Sequence, residues 1–285
     1  MLIAVAGCGG RSPSAAPERA MTAVGAAPAP EISGRVIALC GEDVYSQDVY
    51  EIRRGTITRR TTTEPGNGVH SFAVGNGQIA LSRSRDAIDH VELGSLDAPT
   101  YFGRVLGPGT APALDDDGTL AWTLVTERVG HYADAVYVKR PGKVARRVAT
   151  YPHAWQIHFV DGRLRAVASR RGKFAEVRGV GTKHVVRIPL IMRSARHVVW
   201  SRSGRLAYGD GHNRLRINSA GGRRVASYAT EWVPLAWSPD ERKLLVTNAT
   251  RKPAVIGLMY SKTGSVRALG ALSCGPVVSA NWLPD

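Results

Sequence analysis

Trp237-Ser238-Pro239-Asp240-Glu241-Arg242-Lys243-Leu244-Leu245-Val246 is the stretch that decides how this chain folds. A short apolar strand ends in Trp, a Ser-Pro-Asp turn follows, and a second apolar strand begins. The same phrase recurs, divided between the two ends of the chain. The last residues are Trp282-Leu283-Pro284-Asp285, and Ser33-Gly34-Arg35-Val36-Ile37-Ala38-Leu39 lies near the start. Joined end to start, they make one complete copy. A repeat completed across the termini predicts a ring, in which Val277–Trp282 pairs with the strand holding Val36–Leu39.

Outward from this phrase, six versions of a turn opening into a strand can be read. They begin at Gly34-Arg35-Val36, Gly77-Gln78-Ile79, Gly118-Thr119-Leu120, Gly162-Arg163-Leu164, Gly204-Arg205-Leu206 and Glu241-Arg242-Lys243. A short apolar run precedes each: Val277–Trp282, Val69–Val74, Ala111–Leu114, Trp155–Val160, His197–Trp200 and Val233–Trp237. A hairpin follows each: Val49–Thr62, Val91–Phe102, Val136–Thr150, Ala175–Ile188, Leu215–Tyr228 and Gly257–Leu269. The units repeat every 37–45 residues or so, the period of propeller blades. The fold class expected is all-β: a six-bladed β-propeller over residues 32–285, closed between its C-terminal strand and its N-terminal blade. Each four-stranded blade alone leaves both faces wet, and ring packing buries them.

The copy at 237–240 has eroded relatives in Trp200-Ser201-Arg202-Ser203-Gly204, Leu114-Asp115-Asp116-Asp117-Gly118 and Trp282-Leu283-Pro284-Asp285. Together they resemble the W-S-P-D-G repeat of the TolB-like β-propellers, with Glu241 in the place of the glycine. The resemblance covers about residues 33–285 and implies a propeller. In it the Asp and Gly shape a turn and the Trp packs between blades. Because the phrase is structural, it implies no particular ligand.

The N-terminus reads as an address. Residues 1–8 end in Val5-Ala6-Gly7-Cys8, which resembles a bacterial lipobox whose cysteine is acylated. The apolar run is short and has no leading Lys or Arg, so a start codon upstream of Met1 is expected. Residues 9–31 are rich in Ala, Pro, Gly and Ser and read as a disordered tether. The Ala/Arg/Gly/Val-rich usage suggests an actinobacterial source. The expected location is extracytoplasmic, lipid-anchored to the bacterial cell membrane.

Three cysteines are present. Cys8 belongs to the lipobox. Cys40 closes the second strand of the first blade, and Cys274 lies in the loop entering that blade's first strand. Those places share one face of a propeller, so a disulfide is expected in an oxidising compartment. The alternative is a pair of free thiols. No Cys-x-x-Cys exists and the histidines are scattered, so no metal is expected. Asp115-Asp116-Asp117 lacks the further ligands of a calcium loop and reads as a turn. Lys262-Thr263-Gly264 matches a penicillin-binding motif without its Ser-x-x-Lys partner, and reads as a hairpin turn. No Gly-x-Ser-x-Gly elbow occurs. Neither a cofactor nor a catalytic residue is expected.

The charge is +15 overall and is concentrated. From Lys139 to Arg224 there are 21 Lys/Arg against 3 Asp/Glu, while the rest of the chain has 17 against 20. The candidate basic patch is Arg146, Arg147, Arg163, Arg165, Arg170, Arg171, Lys173, Arg223 and Arg224. Edge-strand protection explains doublets such as Arg146-Arg147 and Arg223-Arg224. It does not explain the lack of acids, which suits an anionic surface such as headgroups, a wall polymer or an acidic envelope protein. Nucleic acid is not expected of an exported chain with no aromatic-interleaved motif. The function expected is a monomeric, non-catalytic binding or scaffold module at the cell envelope. The alternative is a propeller lyase or hydrolase with its site in the central mouth. Two or more His, Asp or Glu side chains meeting within hydrogen-bonding reach in one mouth would favour the enzyme.

Overall fold

A computed structural model gives the structure of the chain. It describes residues 32–285 other than 44, 65, 87, 129–130, 152–153, 171–173, 181–184, 189–197, 211, 249 and 252. Cys8, Arg171 and Lys173 lie outside the described residues. Among the described residues there are strands and turns and no helix.

The strands are hydrogen-bonded into six four-stranded sheets, here numbered from the N-terminus. Sheet 1 holds β1 (Arg35–Cys40), β2 (Asp48–Arg53), β3 (Thr56–Arg59) and, inside β1, the terminal β24 (Val277–Leu283). Sheet 2 is β4 (Val69–Gly75), β5 (Gln78–Arg85), β6 (Ile88–Ser95) and β7 (Arg104–Pro108). Sheet 3 is β8 (Thr110–Leu114), β9 (Leu120–Arg128), β10 (His131–Lys139) and β11 (Arg146–Tyr151). Sheet 4 is β12 (Ala154–Val160), β13 (Arg163–Arg170), β14 (Phe174–Gly179) and β15 (Val185–Ile188). Sheet 5 is β16 (Val198–Trp200), β17 (Leu206–Gly209), β18 (Arg214–Asn218) and β19 (Arg224–Ala229). Sheet 6 is β20 (Val233–Trp237), β21 (Lys243–Asn248), β22 (Val255–Tyr260) and β23 (Val266–Gly270). Neighbouring strands within each sheet are antiparallel.

Position in the sheet explains composition. The second strands are buried on both faces, because a neighbouring sheet covers each face. Thus Val36 to Cys40 and Leu244 to Asn248 are buried without alternation. The outermost strands are mostly exposed and carry charge, as in β11 and β19. Charges on a free edge discourage pairing with another chain.

The repeated phrase does its structural work at the sheet junctions. Trp237, buried, donates its indole N–H to the Val199 carbonyl of sheet 5 at 3.3 Å. Trp282 donates to the Ser33 carbonyl at 2.7 Å. Gly34 is at φ +91°, and a Cβ there would sit 2.5 Å from the Leu283 carbonyl oxygen, so a side chain at 34 would push β24 away. Within the Ser238–Lys243 turn, the Ser238 hydroxyl donates to Asp240 at 2.6 Å and accepts from the Lys243 amide at 2.9 Å. Glu241 occupies the left-handed region at φ +56° that a glycine would take without strain. Its carboxylate compensates by reaching the next sheet, accepting from the Ser203 amide and hydroxyl at 2.6 Å each. Burial pushes the Glu241 carboxyl up, but the bonds from Ser203 outweigh it and hold the group below the usual range.

Strand direction sets the two ends of the sheets. The turns between first and second strands lie at one end with the turns between third and fourth strands. Arg35, opening β1, reaches the Leu96 carbonyl and, at 3.5 Å, Asp97 in such a turn of sheet 2. Gly118 of sheet 3 packs beside Asn76 of sheet 2 and Pro141 of its own sheet. Ile32, the first described residue, is therefore at this end, called the turn end below.

Candidate ligand channel

Residues of the innermost strands β24, β4, β8, β12, β16 and β20 line a cavity of about 1860 Å³, called the channel below. Asp115, Asp116, Asp161 and Arg202 line it at the turn end. Tyr45, His70, Ser84, Asp89 and Asp134 line it at the opposite end.

At that opposite mouth three polar side chains converge. His70 Nε2 lies 2.8 Å from Ser84 Oγ, and Ser84 Oγ donates to Asp89 Oδ1 at 2.7 Å. Asp89 Oδ1 is 3.3 Å from the same His70 Nε2. Local structure makes this meeting possible. Ser84 and Asp89 face each other across the β5–β6 pair. The register of β4 against β5 shifts between Val69 and Ser71, and that irregularity turns His70 toward Ser84. The hydrogen bond with His70, against the opposing effect of burial, holds the Asp89 carboxyl below its ordinary value.

The chemistry of this cluster follows from which nitrogen is used. A nucleophilic triad places the hydroxyl on one ring nitrogen and the orienting carboxylate on the other. Here Ser84 and Asp89 share Nε2, and the Ser84 hydroxyl donates its hydrogen bond to Asp89. The imidazole is not held between base and orienter. The cluster places three hydrogen-bonding groups at the rim, and its connectivity differs from that of a nucleophilic triad.

The wall between sheets 4 and 5 is polar as well. Gln156 donates its side-chain amide to the Val198 carbonyl at 3.0 Å. His158 stacks on Trp200, centroids 6.5 Å apart and planes 8° from parallel. The Arg165 guanidinium lies over the same indole at 5.8 Å. Burial pushes the His158 imidazole down to about 4, so it is neutral at physiological pH. Its folded value is below its unfolded one, so the unfolded chain binds the extra proton first. Stability is whole above the unfolded value near 6.5 and falls as pH drops toward 4. The expected loss from this site is about 3 kcal/mol across that window. A His158→Phe variant should flatten the slope of unfolding free energy between those pH values. An unchanged slope would assign the acid sensitivity elsewhere.

The residues singled out in the sequence fall as follows. Cys40 and Cys274 form a disulfide with Cα atoms 5.7 Å apart, tying the end of β1 to the loop before β24. Arg146, Arg147, Arg163, Arg223 and Arg224 are exposed. Arg165 is not a surface cation: it is half-buried over Trp200, because its place in β13 faces sheet 5. Arg170 ends β13, and its side chain is outside the described set. Asp115-Asp116-Asp117 makes a turn, with Asp117 accepting from the Thr119 amide at 2.7 Å. Among the described residues, no group of three or more His, Cys, Asp or Glu is placed to hold a metal. Two clusters have no sequence signature. One is His70–Ser84–Asp89. The other joins sheets 1 and 2: Glu51 is ion-paired with Arg35 and Arg60 at 2.9 Å each, and accepts from the Arg35 guanidinium at 3.2 Å and from the Tyr101 hydroxyl at 3.0 Å. Ser84 and Asp89 of the first face each other across a hairpin, a register the sequence reading did not draw.

No protein-family model and no curated protein matches the sequence. Solved structures do resemble the fold. TolB from Acinetobacter baumannii has a TM-score of 0.67 at 15% identity, over 88% of this chain and 67% of TolB. A chain of a nidogen/laminin complex has a TM-score of 0.62 at 14% identity, over 87% of this chain and 97% of its own. At these identities the likeness shows the fold, a β-propeller, and nothing finer.

Proposed function

We propose that this chain is a non-catalytic binding module of the bacterial cell envelope. In this reading each sheet is one blade, six make the ring, and β24 against β1 closes it. Cys8 carries the lipid, and the central channel with its polar rim takes the ligand or envelope partner. The geometry of the mouth is the single observation that carries the non-catalytic reading. A histidine, a serine and an aspartate meet there, yet both partners share one imidazole nitrogen. The disulfide supports export, because such bridges persist in oxidising compartments.

The same meeting of His70, Ser84 and Asp89 favours the alternative, a propeller hydrolase. An active-site-directed fluorophosphonate separates the two. The binding module is expected to leave Ser84 unlabelled at a concentration that modifies a control hydrolase fully. Labelling at Ser84 that disappears in His70→Ala would establish the enzyme instead. The address is tested separately. In a chain expressed with a complete upstream signal, Cys8→Ser should abolish salt-resistant membrane attachment. Unchanged attachment at high salt would refute acylation at Cys8.

A further inference from the structure

We infer that the hairpin joining β10 to β11 is a contact site for an anionic lipid bilayer, and that the propeller stands on the membrane with its turn end down. The inference takes its setting from the envelope reading above, but its test does not depend on acylation of Cys8.

Composition comes first. Residues 139–147 contain five Lys/Arg, and no Asp or Glu occurs from 135 to 160. Clusters of four to eight cations beside a membrane are the usual signature of binding to acidic headgroups. The structure separates which of the five are free. Lys139 donates its ammonium to the Lys143 carbonyl at 3.1 Å, and Arg140 lies near enough to Asp117 to help lower that carboxyl, behind the bonds from Thr119. Lys143, Arg146 and Arg147 are exposed, and none is ion-paired with a described acidic residue.

Among these cations sits an apolar side chain with nothing over it. Val144 is 83% exposed, the largest exposure among the large hydrophobic residues described, and Val148 is 45% exposed. The local backbone explains it. Gly142 at φ +67° and the bond from the Lys143 amide to the Arg140 carbonyl close the turn. Ala145 then packs inward against Trp122 and its neighbours, which directs the preceding valine outward. A polyanion in water gains little from an isopropyl group at the tip. A bilayer gains from it, because cations reach the phosphates while the apolar knob enters the headgroup boundary.

Placement supplies the orientation. The hairpin is at the turn end, since Pro141 packs beside Gly118. Ile32 is at that end too, so the segment leading to Cys8 joins the propeller on the side that meets the membrane. The mouth with His70 and Asp89 is at the opposite end and faces away, open to a partner.

The test uses the full chain with Cys8→Ser and the Cys40–Cys274 bridge intact. Co-sedimentation with vesicles of phosphatidylglycerol and phosphatidylcholine is compared with phosphatidylcholine alone. Binding is expected only with the anionic lipid and is expected to weaken with salt. Charge reversal at Lys143, Arg146 and Arg147 should weaken it by roughly a hundred-fold or more, at about five-fold per cation removed and a further factor for the acids introduced. Arg223→Glu with Arg224→Glu should have a smaller effect, and an equal or larger loss would overturn the assignment to this hairpin. A polarity-sensitive dye on Val144→Cys should brighten with anionic vesicles, while the same dye on Ile88→Cys, at the far end, should not. Brightening at 88 instead would reverse the orientation and refute the proposal. Equal binding to neutral vesicles would refute it, as would binding to soluble polyphosphate with no binding to anionic vesicles. Failure of Cys8 acylation would leave every one of these outcomes readable.

Discussion

A chain ending at Pro276 is expected to lose its cooperative fold. The nine residues removed include the whole of β24, the inner strand of sheet 1, which pairs with β1 from Arg35↔Leu283 to Cys40↔Val277. Without it, β1 presents a bare edge and Gly34 and Ser33 lose their partners. The buried Trp282 and Val277 leave a core that also holds Ile32, Val36, Leu235 and Leu272. Truncating a buried Trp costs about 3–5 kcal/mol by itself. For a chain of this size that is a fall of roughly 5–10 °C in Tm, before the lost strand pairing is counted. Calorimetry of the full and shortened chains, both oxidised, decides the matter. Equal melting would mean that the pairing of β24 with β1 adds nothing to the integrity of the fold. Trp282→Ala, which keeps the backbone, should show the packing part alone.

The second large effect is expected from the disulfide. Cys40 and Cys274 are 234 residues apart in sequence, so the bridge closes nearly the whole propeller into a loop. The chain-entropy relation assigns a loop of this length about 5 kcal/mol, acting on the unfolded chain and reduced by any distortion of the folded one. It also fastens the approach to β24 on the far side of the pairing just described. Cys40→Ser with Cys274→Ser should therefore lower stability by about 3–5 kcal/mol, measured by denaturant midpoint against the oxidised parent. The two perturbations share one junction, so they should couple: the truncation should be more damaging without the bridge than with it. A double serine variant as stable as the parent would show that hydrogen bonding and packing alone close this junction. Mass spectrometry of exported protein under non-reducing conditions must first show the two thiols joined.

The candidate mouth contributes its own acid sensitivity. Asp89 is held ionised by His70 and Ser84, so its contribution is present above its unfolded value near 3.8 and is lost as pH falls through its lower folded value. This window lies below that of His158. Acid titration of the full chain should thus show the His158 loss first.

The amino-acid sequence by itself determined the strands, the turns and the order in which they repeat. Those depend on local rules. Glycine and Ser-Pro-Asp turns and short apolar runs are written within each unit of about forty residues. The split phrase at Trp282 and Gly34 also placed β24 beside β1, and the disulfide followed from the strand ends that this pairing brings together. Only the tertiary structure decided what the side chains do between units. His70 meets Ser84 and Asp89 because β4 slips its register by one residue, and no local pattern announces that slip. Arg165 is drawn from the charge patch onto Trp200 because sheet 5 happens to present an indole there. Glu241 tolerates a glycine's backbone because Ser203 of another sheet holds its carboxylate. Val144 is left uncovered because Ala145 takes the inward place at the hairpin's end. In each case the deciding atom belongs to a neighbouring strand or sheet, whose position is fixed by packing between strands and sheets and not by the residues on either side in the chain.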